Sequence, residues 1–155
     1  MSQTDYRSLL DAAKQASALA YCPYSNYNVG AAVLTSDGNV YVGCNIENYG
    51  FSQTVHAEES AVANAIAHGA LQRCSQTLKH TNFIKAVAVW AAKSSAAFPC
   101  GNCRQFLAEF GGEFDVIVED QNKQVKVVKF AELVPYQFSQ ETVLNSTRQT
   151  TVQSI

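Results

Sequence analysis

No surplus of positive charge runs through this chain of 155 residues: 11 Lys and Arg stand against 13 Asp and Glu, for a net charge of −2. A nucleic acid backbone is gripped by a basic stripe that neutralises its phosphates. The lysines here are scattered, so no nucleic acid is expected as a partner. Long apolar runs are also missing. None approaches the roughly 18 residues of a membrane-spanning helix, so no membrane partner is expected either. The polar start, Met1-Ser2-Gln3-Thr4-Asp5-Tyr6-Arg7, lacks the apolar segment of a secretion signal. Five cysteines are an odd number, poorly suited to a framework of disulfides, and a reducing, cytoplasmic location is the expectation. What is abundant is apolar residues, 47% of the chain, enough for one buried core. A single domain over residues 1–155 is expected, with no repeat and no linker.

Thr4 to Ala20 is expected to form a helix, with Leu9, Ala13, Ala16 and Ala20 on one face. Tyr21 to Asn28 is a loop. Val29 to Thr35 is a strand, and its Gly30-Ala31-Ala32 suits close packing. Asp37-Gly38 marks a hairpin turn into a second strand, Asn39 to Ile46. A helix opens at His56 and ends near His68-Gly69, where the glycine serves as a cap. The polar stretch Gln72 to Asn82 leads to a strand, Phe83 to Ala92, with Trp90 expected in the core. A helix runs through Arg104 to Phe110. Strands Phe114 to Glu119 and Val125 to Phe130 follow, joined by the turn Asp120-Gln121-Asn122-Lys123. Lys123, Lys126 and Lys129 are expected to decorate one face of the last strand. Ala131 to Phe138 is a short helix or turn, and 140–155 is a polar tail expected to fray. This order places the chain in the α/β class: a three-layer α/β/α sandwich around a five-stranded mixed sheet.

Two short motifs carry the chemistry: His56-Ala57-Glu58 and Pro99-Cys100-Gly101-Asn102-Cys103. His56, Cys100 and Cys103 supply three zinc ligands, the number found in catalytic sites that keep a fourth position for water. Both motifs open helices, whose free N–H groups and positive dipole ends favour thiolates. Glu58 stands beside the metal but outside its ligand set. There it can take a proton from a metal-activated water and pass it on. Two thiolates and a neutral imidazole balance the zinc charge, so an acidic Glu59 next door is tolerable. The spacing His-x-Glu…Pro-Cys-x-x-Cys is the pattern of zinc deaminases that act on nucleobases. A redox pair or a structural zinc site would want other partners. Cys22, Cys44 and Cys74 are each isolated and are expected to be small core residues. His68 and His80 are expected at the surface or at a helix cap. Arg104 is expected to offset the charge of the thiolate before it.

Over roughly Leu9 to Phe138 the chain resembles the cytidine deaminases. The resemblance rests on Tyr21-Cys22-Pro23-Tyr24-Ser25-Asn26-Tyr27-Asn28-Val29-Gly30-Ala31-Ala32, Gly43-Cys44-Asn45-Ile46-Glu47-Asn48, Gln53-Thr54-Val55-His56-Ala57-Glu58, Pro99-Cys100-Gly101-Asn102-Cys103-Arg104-Gln105 and Leu133-Val134-Pro135-Tyr136-Gln137-Phe138. It implies zinc-dependent hydrolytic deamination of cytidine and deoxycytidine, a pyrimidine-salvage reaction, with one Zn2+ per subunit. It implies that Asn45 and Glu47 hold the ribose 3′-hydroxyl and that Tyr27 packs on the nucleoside. It further implies that the Ala57 N–H meets the pyrimidine O2, that Glu58 also holds N3, and that Phe138 reaches a neighbouring subunit's site. A homo-oligomer follows, a tetramer in preference to a dimer. The chain departs from small members of the family in carrying His56 where they usually have Cys, and Glu59 where they usually have Arg. It also carries Ser139-Gln140-Glu141-Thr142-Val143 where Gly-Pro-Glu-Asp-Leu is common. A deaminase of another aminopyrimidine, such as blasticidin S, shares the metal motifs. A non-catalytic zinc module would have no use for Glu58.

Overall fold

A computed structural model describes residues 3–74, 82–139 and 142–143. Its elements are α1 (Gln3–Ser17), β1 (Val29–Thr35), β2 (Val40–Cys44), α2 (Ala57–Ala67), α3 (Ala70–Cys74), β3 (Ile84–Ala91), α4 (Gly101–Ala108), β4 (Asp115–Glu119), β5 (Val125–Lys129) and α5 (Phe130–Leu133). The strands form one sheet in the order β2-β1-β3-β4-β5. β3 and β4 are parallel and the other neighbours antiparallel, so the sheet is mixed, as expected. His80 and most of the 140–155 tail lie outside the described residues.

Alternation along the central strands builds two cores, because successive side chains point to opposite faces. Ala32, Ala86, Ala88 and Ile117 pack against Leu9, Leu10 and Ala13 of α1 on one face. Ala31, Val33, Val87, Val89 and Val116 pack against Ala61, Val62 and Ala65 of α2 and Leu107 of α4 on the other. Phe114 and Phe130 stack with ring centroids 4.3 Å apart and close the far end of that layer.

Two glycines let the helices approach the sheet. Gly30 lies under α1, where a methyl group would collide with the carbonyl oxygen of Ala13 and stand 2.5 Å from the Ser17 nitrogen. Gly43 lies under α2, where a methyl would strike the Ala61 nitrogen and sit 2.7 Å from the Ala57 carbonyl oxygen. Both obstacles are backbone and cannot swing aside. Gly43→Ala is therefore expected to cost about 1–3 kcal/mol of stability, readable in urea unfolding. Because α2 follows directly on His56, the same variant is expected to lose turnover. Unchanged stability would show that α2 can ride outward freely.

Several expectations need correction. α1 ends at Ser17 instead of running to Ala20; the next three residues close with hydrogen bonds from N–H to the carbonyl three residues back. α3 was not expected, because its five residues are too few to show a helical period. The turn before it is as expected: Gly69, at φ 75°, donates its N–H to the Ile66 carbonyl. Lys126 and Lys129 do not share a face. Lys129 lies opposite Asp115 in the register and pairs with it at 2.6 Å, whereas Lys126 lies opposite Val118 and reaches over the Phe98 ring. A separation of three residues reverses the face of a strand. Lys123 sits in the turn at φ 59°. Trp90 is half-buried, and its indole N–H donates to Glu119 across 3.2 Å, so the ring keeps its polar edge at the margin of the core.

No helix among the described residues is long and apolar enough to cross a membrane.

Candidate functional site

The first residues of α2 and α4 meet beside the carboxyl end of β3, the usual place for a ligand in an open α/β sheet. His56 is the extended residue before α2, and Cys100 the extended residue before α4. Cys103 follows within the first turn of α4 and is fully buried. The expectation that both motifs open helices is met.

The His56 Nδ1 atom lies 3.2 Å from Cys103 Sγ and 3.3 Å from Cys100 Sγ. All three potential ligand atoms fall within 4.8 Å of one another. Zinc bonds of roughly 2.0–2.1 Å to nitrogen and 2.3 Å to sulfur put tetrahedral corners roughly 3.5–3.8 Å apart, within a few tenths of an ångström of these separations. Burial raises the Cys103 thiol far above its ordinary value, and the charges of Glu58 and Cys100 add to the effect. A thiolate in that place calls for a cation. Donor type, spacing and charge thus all fit zinc, and His56, Cys100 and Cys103 are the residues that would hold it.

Glu58, only 4% exposed, lies on the first turn of α2. Burial pushes its carboxyl upward, while its own backbone N–H, the Cys103 thiol and the nearby His56 pull the other way. The net effect is a carboxyl more basic than an exposed glutamate, a change in the direction that favours proton transfer near neutrality.

A cavity of about 300 Å³ opens in front of these groups. Its lining includes His56, Ala57, Glu58 and Cys100, with Tyr27, Val29 and Asn45 from the opposite wall and Phe98 beside them. The volume suits a small molecule. Apolar walls with a few convergent polar groups are the usual make-up of such a pocket.

The remaining expected residues are distributed unevenly. Asn45 and Glu47 do not lie within a strand, since β2 ends at Cys44. Asn45 is 8% exposed and lines the cavity, but its amide is also structural. Its Oδ1 accepts from the Val29 N–H at 2.9 Å, and its Nδ2 donates to the Tyr27 carbonyl at 3.0 Å. The Glu47 carboxylate accepts from the backbone N–H groups of Tyr24 and Ser25 and from the Ser25 hydroxyl, and these bonds hold its pKa below the usual value. Both residues therefore tie down the loop that carries Tyr27. The Tyr27 ring lines the cavity and its hydroxyl donates to Ser94 Oγ at 2.7 Å. Phe138 is 61% exposed and stands outside the cavity lining.

Arg104 does not face a thiolate. Its Nε donates to the Pro99 carbonyl at 2.7 Å and its Nη1 to the Leu133 carbonyl at 3.1 Å. It fastens the start of α4 to the end of α5. Of the isolated cysteines, Cys22 is buried, while Cys44 and Cys74 are half-buried. His68 caps α2 from an exposed position, its Nδ1 2.9 Å from the Asn64 carbonyl oxygen.

One contact at the site escaped sequence reasoning. The Glu59 carboxylate accepts from the His56 backbone N–H at 3.0 Å and from Asn102 Nδ2 at 2.6 Å. An acidic residue three places into a helix is a recognised capping signal, so the first bond could have been found. Nothing in the sequence marks the second.

Comparison with known proteins points the same way. The family described as "Cytidine and deoxycytidylate deaminase zinc-binding region" matches residues 3–119. The chain is 38% identical to a cytidine deaminase of Sporosarcina psychrophila, over 88% of this chain and 93% of that one. It is 34% identical to a cytidine deaminase of Halalkalibacterium halodurans, over 88% of this chain and 96% of the other. Among solved structures, the cytidine deaminase of Burkholderia pseudomallei superposes with a TM-score of 0.73 at 35% identity, covering 85% of this chain and 98% of its own. With its zinc-ligand triad, buried glutamate and five-stranded mixed sheet, the chain belongs to the cytidine and deoxycytidylate deaminase family.

Proposed function

We propose that this chain is a single catalytic domain that hydrolyses the 4-amino group of cytidine and deoxycytidine, giving uridine or deoxyuridine and ammonia. The observation that carries the reading is the buried Glu58 beside the His56, Cys100 and Cys103 triad, on the wall of a cavity of nucleoside size.

Held by that triad, zinc supplies Lewis-acid activation of water. Glu58 accepts the proton released as the water oxygen bonds to C4, and donates a proton to N3. It then carries the remaining proton, from the new C4 hydroxyl, to the 4-amino group, which leaves as ammonia as the C4–N bond breaks and the C4 carbonyl forms. Each transfer uses one carboxyl, whose raised pKa suits both taking and giving. The Ala57 N–H, at the start of α2 and in the cavity lining, is assigned to the pyrimidine O2, a role that helix starts serve readily. Tyr27 and Phe98 flank the base. Asn45 and Glu47 are assigned to the ribose 3′-hydroxyl. Asn45 is supported by its place in the cavity wall, and Glu47 by its hold on the loop that carries Tyr27.

A panel of cytidine, deoxycytidine, cytosine and blasticidin S tests the substrate assignment. Turnover of the two nucleosides at least tenfold above the others is the expected result. A preference for blasticidin S would transfer the site to a different aminopyrimidine.

The assembly proposed is a homo-oligomer, a tetramer in preference to a dimer. It is supported by exposed aromatics in the loop between β2 and α2, Tyr49 at 81% and Phe51 at 72%, with Phe51 edge-on to the ring of Tyr24. Phe138, exposed in the single chain, is assigned to a neighbour's site. Sedimentation velocity at micromolar concentration is expected to show a multimer; a monomer with full activity would remove Phe138 from catalysis.

A further inference from the structure

We propose that Glu59 and Asn102 form a clamp that sets the distance between the two halves of the metal site and so retains the ion. The inference rests on the reading of His56, Cys100 and Cys103 as zinc ligands. Glu59 belongs to α2 and Asn102 to α4, the helices at whose starts the histidine and the cysteines of that triad lie. The two oxygens of Glu59 divide their work. Oε2 takes the backbone N–H of His56 itself, at 3.0 Å. Oε1 takes Asn102 Nδ2 at 2.6 Å, and Asn102 lies between the two cysteines in sequence. One carboxylate therefore connects the peptide of the histidine ligand to the turn that carries both sulfurs.

An ordinary helix cap requires only the first of these bonds. The second is 43 residues distant in sequence, and Asn102 is exposed, so the core gives it no reason to be there. Its evident effect is on the separation of the ligands. Partners outside the ligand set commonly govern metal retention, and their loss typically costs 10–100-fold in affinity or activity. Where a third thiolate replaces the histidine, excess negative charge would make a carboxylate at this position unfavourable. With two thiolates and an imidazole the charge is balanced, and an acidic clamp is permitted. Glu59 and Asn102 are positioning residues; neither is assigned contact with substrate.

The test is the rate at which zinc passes from the loaded enzyme to a chromogenic chelator, alongside kcat. Asn102→Ala and Glu59→Ala are each expected to speed zinc loss by about tenfold or more. The double variant is expected to be no worse than Glu59→Ala alone, because the bond that Asn102→Ala removes is one that Glu59→Ala has already removed. Glu59→Gln is expected to restore retention to within a few-fold of the parent, its amide oxygen accepting from His56 and its amide nitrogen donating to a flipped Asn102. Asn102→Asp, which opposes two carboxylates at an exposed position without disturbing the fold, is expected to match Asn102→Ala. Zinc loss at the parent rate in both Asn102 variants would overturn the clamp, as would multiplying effects in the double variant. A parent that binds no zinc would instead overturn the reading of the triad.

Discussion

Glu58→Gln is expected to keep its zinc and to lose at least two to four orders of magnitude in kcat, the usual contribution of a positioned acid–base group. The side chain keeps its volume and its place in the wall, so substrate binding should change little. What it loses is the ability to take a proton from water and to give one to N3 or the leaving amine. No neighbour among the described residues that line the cavity offers a second carboxyl. The same substitution should leave thermal stability unchanged or raise it. A carboxyl held at 4% exposure is costly when ionised, and the neutral amide removes that cost. Loss of activity with gain of stability separates a functional residue from a structural one. Near-parental kcat in a zinc-loaded Glu58→Gln protein would overturn the shuttle assignment.

Cys103→Ala is expected to release zinc and, with it, all measurable turnover. Cys103 is the buried member of the pair and faces His56 Nδ1 at 3.2 Å. Removing it leaves two protein ligands, below the three of catalytic zinc sites. Affinity should fall by more than the roughly 100-fold upper range for partners outside the ligand set. Metal analysis after dialysis checks this directly. Stoichiometric zinc in the variant would mean that another side chain completes the set.

The metal site was legible in the sequence because its parts are local: His56 and Glu58 share one turn, and Cys100 and Cys103 share another. The strands were legible where burial alternates or runs unbroken, as in Val29–Thr35, whose limits match. Features that depend on distant partners were not. Arg104 follows a cysteine in sequence, yet its guanidinium turns away to the Pro99 and Leu133 carbonyls. The second strand was expected to run to Ile46, but it stops at Cys44, and the Asn45 and Glu47 side chains find backbone partners in the preceding loop and at the start of β1. The Glu59–Asn102 bond joins two helices whose juxtaposition only the sheet determines. Local pattern specifies which groups are available, and tertiary packing decides what they hold.

The most direct test of the account is ultraviolet-monitored conversion of cytidine by the purified protein, with ammonia release measured in parallel. It should be run as prepared, after chelation, and after zinc is restored. The account predicts conversion to uridine with one ammonia per turnover, abolished by the chelator and recovered with zinc. A folded, zinc-loaded protein that leaves cytidine and deoxycytidine untouched would contradict it.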